Sequence, residues 1–149
     1  MSQYLNIYLI PKSKDENAKD ANEEMKSTKP LLLVTFSSYS LVYQCFADNA
    51  NVPYAIDGLN GDARLELTED VLGSIINSLE EDIKNEEDTI NLYEKYAATN
   101  QKYIYEILDR KKNLNDLLIQ KHSIEFLNAI AYDIRQGWSG FEKIIANYN

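Results

Sequence analysis

Residues 72–118 read LGSIINSLEEDIKNEEDTINLYEKYAATNQKYIYEILDRKKNLNDLL, and this stretch decides the fold. Almost all of it lies between Gly73 and Gly137, an interval with no other glycine and no proline. Nothing there forces a helix to stop. Apolar residues recur at Leu72, Ile76, Leu79, Ile83, Ile90, Ile104, Ile107, Leu114 and Leu118. Those spacings combine threes and fours, the mark of helix with a single apolar stripe. Such a stripe needs a partner surface.

Working outward, Thr68 predicts the N-cap of a first helix over 69–97, with Glu69 and Asp70 placed to favour the helix dipole. Helix propensity dips at Ala98-Thr99-Asn100-Gln101, and a second helix is expected over about 102–121. The stripe continues across the dip through Ala97, Asn100 and Ile104, so a single rod is the alternative to a hairpin. A rod over 69–121 would be roughly 80 Å long and would need a multimer to cover its stripe. A hairpin covers the stripe within one chain and is the favoured reading. Glu86, Asn100 and Lys111 interrupt the stripe and are expected to fix its register. The register shifts near Lys121–Ser123 to a new stripe, Ile124, Leu127, Ala131 and Ile134, which predicts a bend or a second turn. Gly137-Trp138-Ser139-Gly140 ends that helix, and Phe141, Ile144 and Ile145 predict a short last one.

The N-terminal part has a different character. Residues 4–10, ending at Pro11, and 31–36, following Pro30, read as two antiparallel strands. The polar stretch 12–29 between them is expected to be a mobile loop. Residues 37–47 fit a helix or a strand. The helix is favoured because Leu41, Val42, Cys45 and Phe46 share one helical face. Residues 48–67 form a turn-rich connection, with a brief extended segment at Arg64–Leu67. The expected fold is α+β, mostly α, with a small N-terminal β-ribbon packed on an elongated helical hairpin or bundle. It forms one domain over 1–149, divided into ribbon, loop and connection (1–67) and a helical region (68–149).

Composition narrows the function classes. The formal charge is −9, which disfavours nucleic acid and anionic membranes as direct partners. No apolar run approaches the length of a membrane span, and the N-terminus lacks the features of a signal peptide. The single cysteine, Cys45, forms no intrachain disulfide and reads as a small core hydrophobe. The expected location is the cytoplasm, or a virion if the chain is phage-encoded; the Asn-, Tyr- and Lys-rich composition fits a bacteriophage or mobile-element protein.

Signs of catalysis are sparse. His122 is the only histidine and reads as a surface residue, so no triad or histidine metal site is expected. Asp15 and Asn17 begin an EF-hand pattern that fails at Asp20 and Lys26. Basic residues cluster only at Arg110-Lys111-Lys112, too few for a nucleic-acid footprint. Glu80 and Glu81, with Glu106 and Asp109, resemble the paired acidic motifs of all-α nucleotide pyrophosphohydrolases of the MazG type. The third acid of the first motif falls on Lys84. That resemblance implies magnesium-dependent hydrolysis, with the four carboxylates converging across the hairpin.

Eleven tyrosines are a high count for 149 residues. Tyr93, Tyr96, Tyr103, Tyr105 and Tyr132, with Trp138, lie on or beside the helices and are the candidate interface residues. The sequence therefore predicts a non-enzymatic interaction or assembly subunit with no metal or cofactor, binding a protein partner or itself as a homo-oligomer. An acidic inhibitor or nucleic-acid mimic of a host enzyme, and the MazG-like hydrolase, are the alternatives.

Overall fold

In a computed structural model the chain forms a four-stranded antiparallel sheet covered by a long helical hairpin; residues 4–12, 29–37, 43 and 63–148 are described. The elements are β1 (Tyr4–Pro11), β2 (Leu31–Ser37), β3 (Ala63–Glu66), α1 (Glu69–Ala97), α2 (Tyr103–Gln136) and β4 (Phe141–Tyr148). The sheet order is β2-β1-β4-β3. The α+β fold with a hairpin is thus the observed one, and β1 and β2 pair antiparallel as their sequences predict.

Alternation along β1 decides which side of the sheet is covered. Leu5, Ile7 and Leu9 are buried, and Tyr4, Asn6, Tyr8 and Ile10 point to the other face. Cross-strand neighbours continue the buried layer: Phe36 lies opposite Leu5, Val34 and Ala146 opposite Ile7, and Ile144 opposite Leu9. Onto this layer α1 places Leu72, Ile75, Leu79 and Ile83, and α2 places Leu117, Ile124, Leu127 and Ala131. All belong to one core, and no polar or charged residue among the described ones is buried as a whole, although the side-chain oxygens of Asn128 and Asn147 are shielded from solvent.

The start of α1 follows the predicted chemistry. Thr68 is extended, at φ −94° and ψ 167°, and its hydroxyl accepts the Val71 N–H at 3.3 Å. Thr68→Ala removes that acceptor and is expected to cost about 1 kcal/mol. In a calorimetric melt this appears as a drop of about 3 °C. The end of α2 is equally local. Gly137 adopts φ 77°, and the Trp138 N–H donates back to the Asp133 carbonyl at 3.0 Å. Left-handed backbone favours glycine there and stops the helix.

Three expectations need correction. The second helix does not end near 121: α2 runs unbroken to Gln136. The stripe shifts near His122 without a break in the helix. Before the shift Ile107 is buried outside the common core, but Leu117 already belongs to that core and Leu114 and Leu118 pack against it; Ile124, Leu127 and Ala131 continue the same core after the shift. The apolar face rotates while the helix continues, and Ser123 donates its hydroxyl to the Ile119 carbonyl at 3.2 Å within the same helical ladder.

The second correction concerns 141–148, which form strand β4 and not a short helix. Ile144 and Ala146 are almost fully buried, two residues apart. That period belongs to a strand, and no helix would put both on one face. β4 fills the gap between β1 and β3, so the two-stranded ribbon is in fact a four-stranded sheet closed by the C-terminal residues. The third correction is Ile104, read as a stripe position but 45% exposed.

β3 coincides with the extended segment expected near Arg64. Of the segment 37–47, Ser37 ends β2 and Tyr43 is helical and buried; the remainder, including Cys45, lies outside the described residues. So do most of the expected loop 12–29 and the failed EF-hand positions.

Candidate interaction surface

The chain reverses at residues 98–102. The Thr99 and Asn100 N–H groups both donate to the Tyr96 carbonyl, and Asn100 Oδ1 accepts the Lys102 N–H at 3.1 Å. The continuity of the stripe across Asn100 is therefore coincidental. Beyond the sheet the two helices continue as an arm whose buried aliphatics are Ile90 and Ile107. Polar and aromatic contacts hold the rest. Arg110 donates to Glu86 at 2.9 Å and stacks over Tyr93, 5.1 Å from its centroid. The hydrogen bond to Glu86 raises the Arg110 pKa further above its already high ordinary value. Lys111 pairs with Glu94 at 3.3 Å. Each of the three polar interruptions of the stripe, Glu86, Asn100 and Lys111, is thus satisfied within the chain.

This zipper predicts a local effect. Arg110→Ala should accelerate amide exchange across residues 86–114 several-fold, while global stability falls by less than about 1 kcal/mol. Hydrogen-exchange mass spectrometry separates the two outcomes.

Five of the six predicted interface residues form two groups. Tyr103 sits between Tyr93 and Tyr96, with ring centroids 5.5 Å from each, near the turn. Tyr132 meets Trp138 edge-on at 5.8 Å near the sheet, and Arg135 lies over the Tyr132 ring at 5.2 Å. From Tyr103 to Tyr132 is about 43 Å along α2, so the groups cannot share one contact. Tyr105 is 76% exposed and stands apart from both groups; Trp138 is 70% exposed. The tyrosines near the turn pack on each other within the hairpin, while Tyr105 and Trp138 present their rings to solvent.

Sequence reading missed a third set. Leu108, Ile119 and Phe126 on α2 are 58%, 56% and 63% exposed. Their spacings of 11 and 7 residues are near whole numbers of helical turns, so they line one ridge. The signal was present in the sequence, but the stronger core stripe on the same helix masked it. The two helices also differ sharply in charge. Residues 69–97 hold nine acidic and two basic side chains, a net −7, whereas residues 103–136 hold five of each. The exposed apolar ridge is therefore on the neutral helix.

The four carboxylates of the hydrolase resemblance do not converge. Lys121 meets Glu80 at 3.4 Å across the hairpin. Glu106 lies about 22 Å along α2 from Lys121, and Asp109 about 18 Å. Among the described residues no group of three or more His, Cys, Asp or Glu side chains is placed to hold a metal ion. His122 is a surface residue, 3.9 Å from Glu125.

A cleft of about 530 Å³ opens between the start of α1, the end of α2 and β4. Ala131 and Ile144 line it together with Thr68, Asp70 and Lys143. Glu69 and Arg135, also in its lining, are bound to each other. The hydrogen bond to Glu69 holds the Arg135 pKa above its ordinary value. This pair ties the first turn of α1 to the last turn of α2.

No protein-family model matches the chain, and neither the curated proteins nor the solved structures contain a match. No helix among the described residues is long and apolar enough to cross a membrane.

Proposed function

We propose that this protein is a non-enzymatic interaction or assembly subunit that contacts protein through the outer face of α2. The observation carrying this reading is the pairing of exposed apolar side chains with local neutrality. Tyr105, Leu108, Ile119 and Phe126 stand in solvent on a helix of zero net charge, beside a helix of −7. Exposed apolar surface on an otherwise acidic chain marks the place where a partner can be met without charge repulsion. The hairpin supplies rigidity, because α2 is locked to α1 by ion pairs and to the sheet by the common core.

The test is native co-purification with Leu108→Glu and Phe126→Glu, two exposed substitutions that should leave the circular dichroism spectrum unchanged. Thr68→Ala serves as a control away from the ridge. The expected result is a stoichiometric companion, another protein or a second copy, retained by Thr68→Ala and lost by both ridge variants. A companion retained by both ridge variants would overturn the reading.

A second reading is favoured by α1. Glu81, Glu87 and Asp88 are exposed on that helix and give it an acidic outer face suited to a basic partner. Binding of that kind weakens as salt rises, and is lost on charge reversal at Glu81 and Asp88 but not on substitution at Phe126.

A further inference from the structure

The ridge on α2 carries information about its occupant. Leu108 and Phe126 are 18 residues apart, five helical turns or about 27 Å, with Ile119 between them. Tyr105 and Ile104 flank the arm end of the same face, 76% and 45% exposed. At about 200 Å² for each fully exposed large side chain, these five present roughly 600 Å². Two such faces would bury about 1,200 Å², the lower edge of a specific protein–protein interface, before the intervening polar residues are added.

Charge selects how two copies would meet. Each copy carries −9, of which −7 is on α1. Contact through α2 keeps the acidic helices apart. An antiparallel arrangement also sends the two sheets to opposite ends. The ridge is self-complementary under a two-fold axis near the level of Leu117: Leu108 of each copy falls opposite Phe126 of the other. A closed two-fold contact of this kind presents the same patch from both copies.

We propose that the occupant of the α2 face is a second copy of this chain, bound antiparallel about that two-fold axis. This rests on the reading of α2 as the contact surface, and names its partner. The arm, with few buried aliphatics of its own, then packs against the sheet-proximal half of the partner's α2.

Light scattering on the full chain at tens of micromolar tests the proposal. The expected mass is twice 17.1 kDa for the unsubstituted protein. Phe126→Glu should give the single-chain mass with unchanged circular dichroism. Adding Leu108→Lys to Phe126→Glu should restore the dimer at low salt, because the two-fold axis brings each new lysine to a new glutamate. A parallel pairing would instead set lysine against lysine. A monomeric unsubstituted protein overturns the proposal; if it still binds another protein in a way that Phe126→Glu abolishes, the functional reading stands alone. A dimer untouched by Phe126→Glu overturns both. A dimer lost in Phe126→Glu but not restored in the double variant overturns the antiparallel register.

Discussion

A chain ending at Gly140 is expected to lose cooperative folding altogether. The deletion removes β4, which hydrogen-bonds to β1 on one side and β3 on the other. It takes Ile144 and Ala146, both almost fully buried, out of the core. It also leaves β3 without its recorded neighbour in the sheet and turns β1 into an edge. Each lost contact layer costs several kcal/mol, against a total stability of about 5–15 kcal/mol for an ordinary domain. The thermal transition followed by circular dichroism should become broad, with protease-sensitive sheet residues. If residues 141–145 were only a terminal helical turn, the truncated chain would melt cooperatively within a few degrees of the full one. That result would sink the placement of β4.

The second large effect is expected at Ile124. Its side chain is fully buried in the common core beneath the sheet. Ile124→Ala removes methyl and methylene groups from a close-packed site and leaves a cavity, at a cost of about 2–5 kcal/mol. The melting temperature should fall by about 10 °C. Asn113→Ala, exposed on the same helix, should change stability by about 0.5 kcal/mol or less. Chemical denaturation of both variants checks the contrast. Equal effects would mean that α2 is rotated differently on the sheet.

Ile124 also shows why the register shift misled. A change of stripe along a helix has two explanations, a break in the helix or a change in what it touches. The local sequence Lys121-His122-Ser123 contains no glycine or proline to break it. The helix runs through the shift, and Leu117 before it and Ile124 after it lie in the same core. Which face of the helix is buried along its length depends on what packs against it, and that exists only once the fold is assembled, so no local pattern could name it. The six candidate interface residues illustrate the same limit. Tyrosine content singled out these residues by type, yet Tyr93 and Tyr96 both pack on Tyr103, while the ridge of Leu108, Ile119 and Phe126 went unnoticed. Amphipathic rings are legible as types; whether a ring faces a neighbour or solvent depends on the opposite helix.

Elements governed by local chemistry were set by the sequence itself. Thr68 caps α1, Gly137 closes α2, prolines bound β1 and β2, and the absence of breakers between them commits the middle of the chain to helix. Those features act through a residue's own dihedral preferences and its nearest hydrogen-bond partners. Tertiary structure decided the rest. Phe141–Tyr148 is short enough that helix and strand patterns overlap, and it became a strand because β1 and β3 offered unpaired backbone on both sides. The faces of α2 were likewise assigned by packing: the side that met the core was buried, and Leu108, Ile119 and Phe126 on the other side were left exposed.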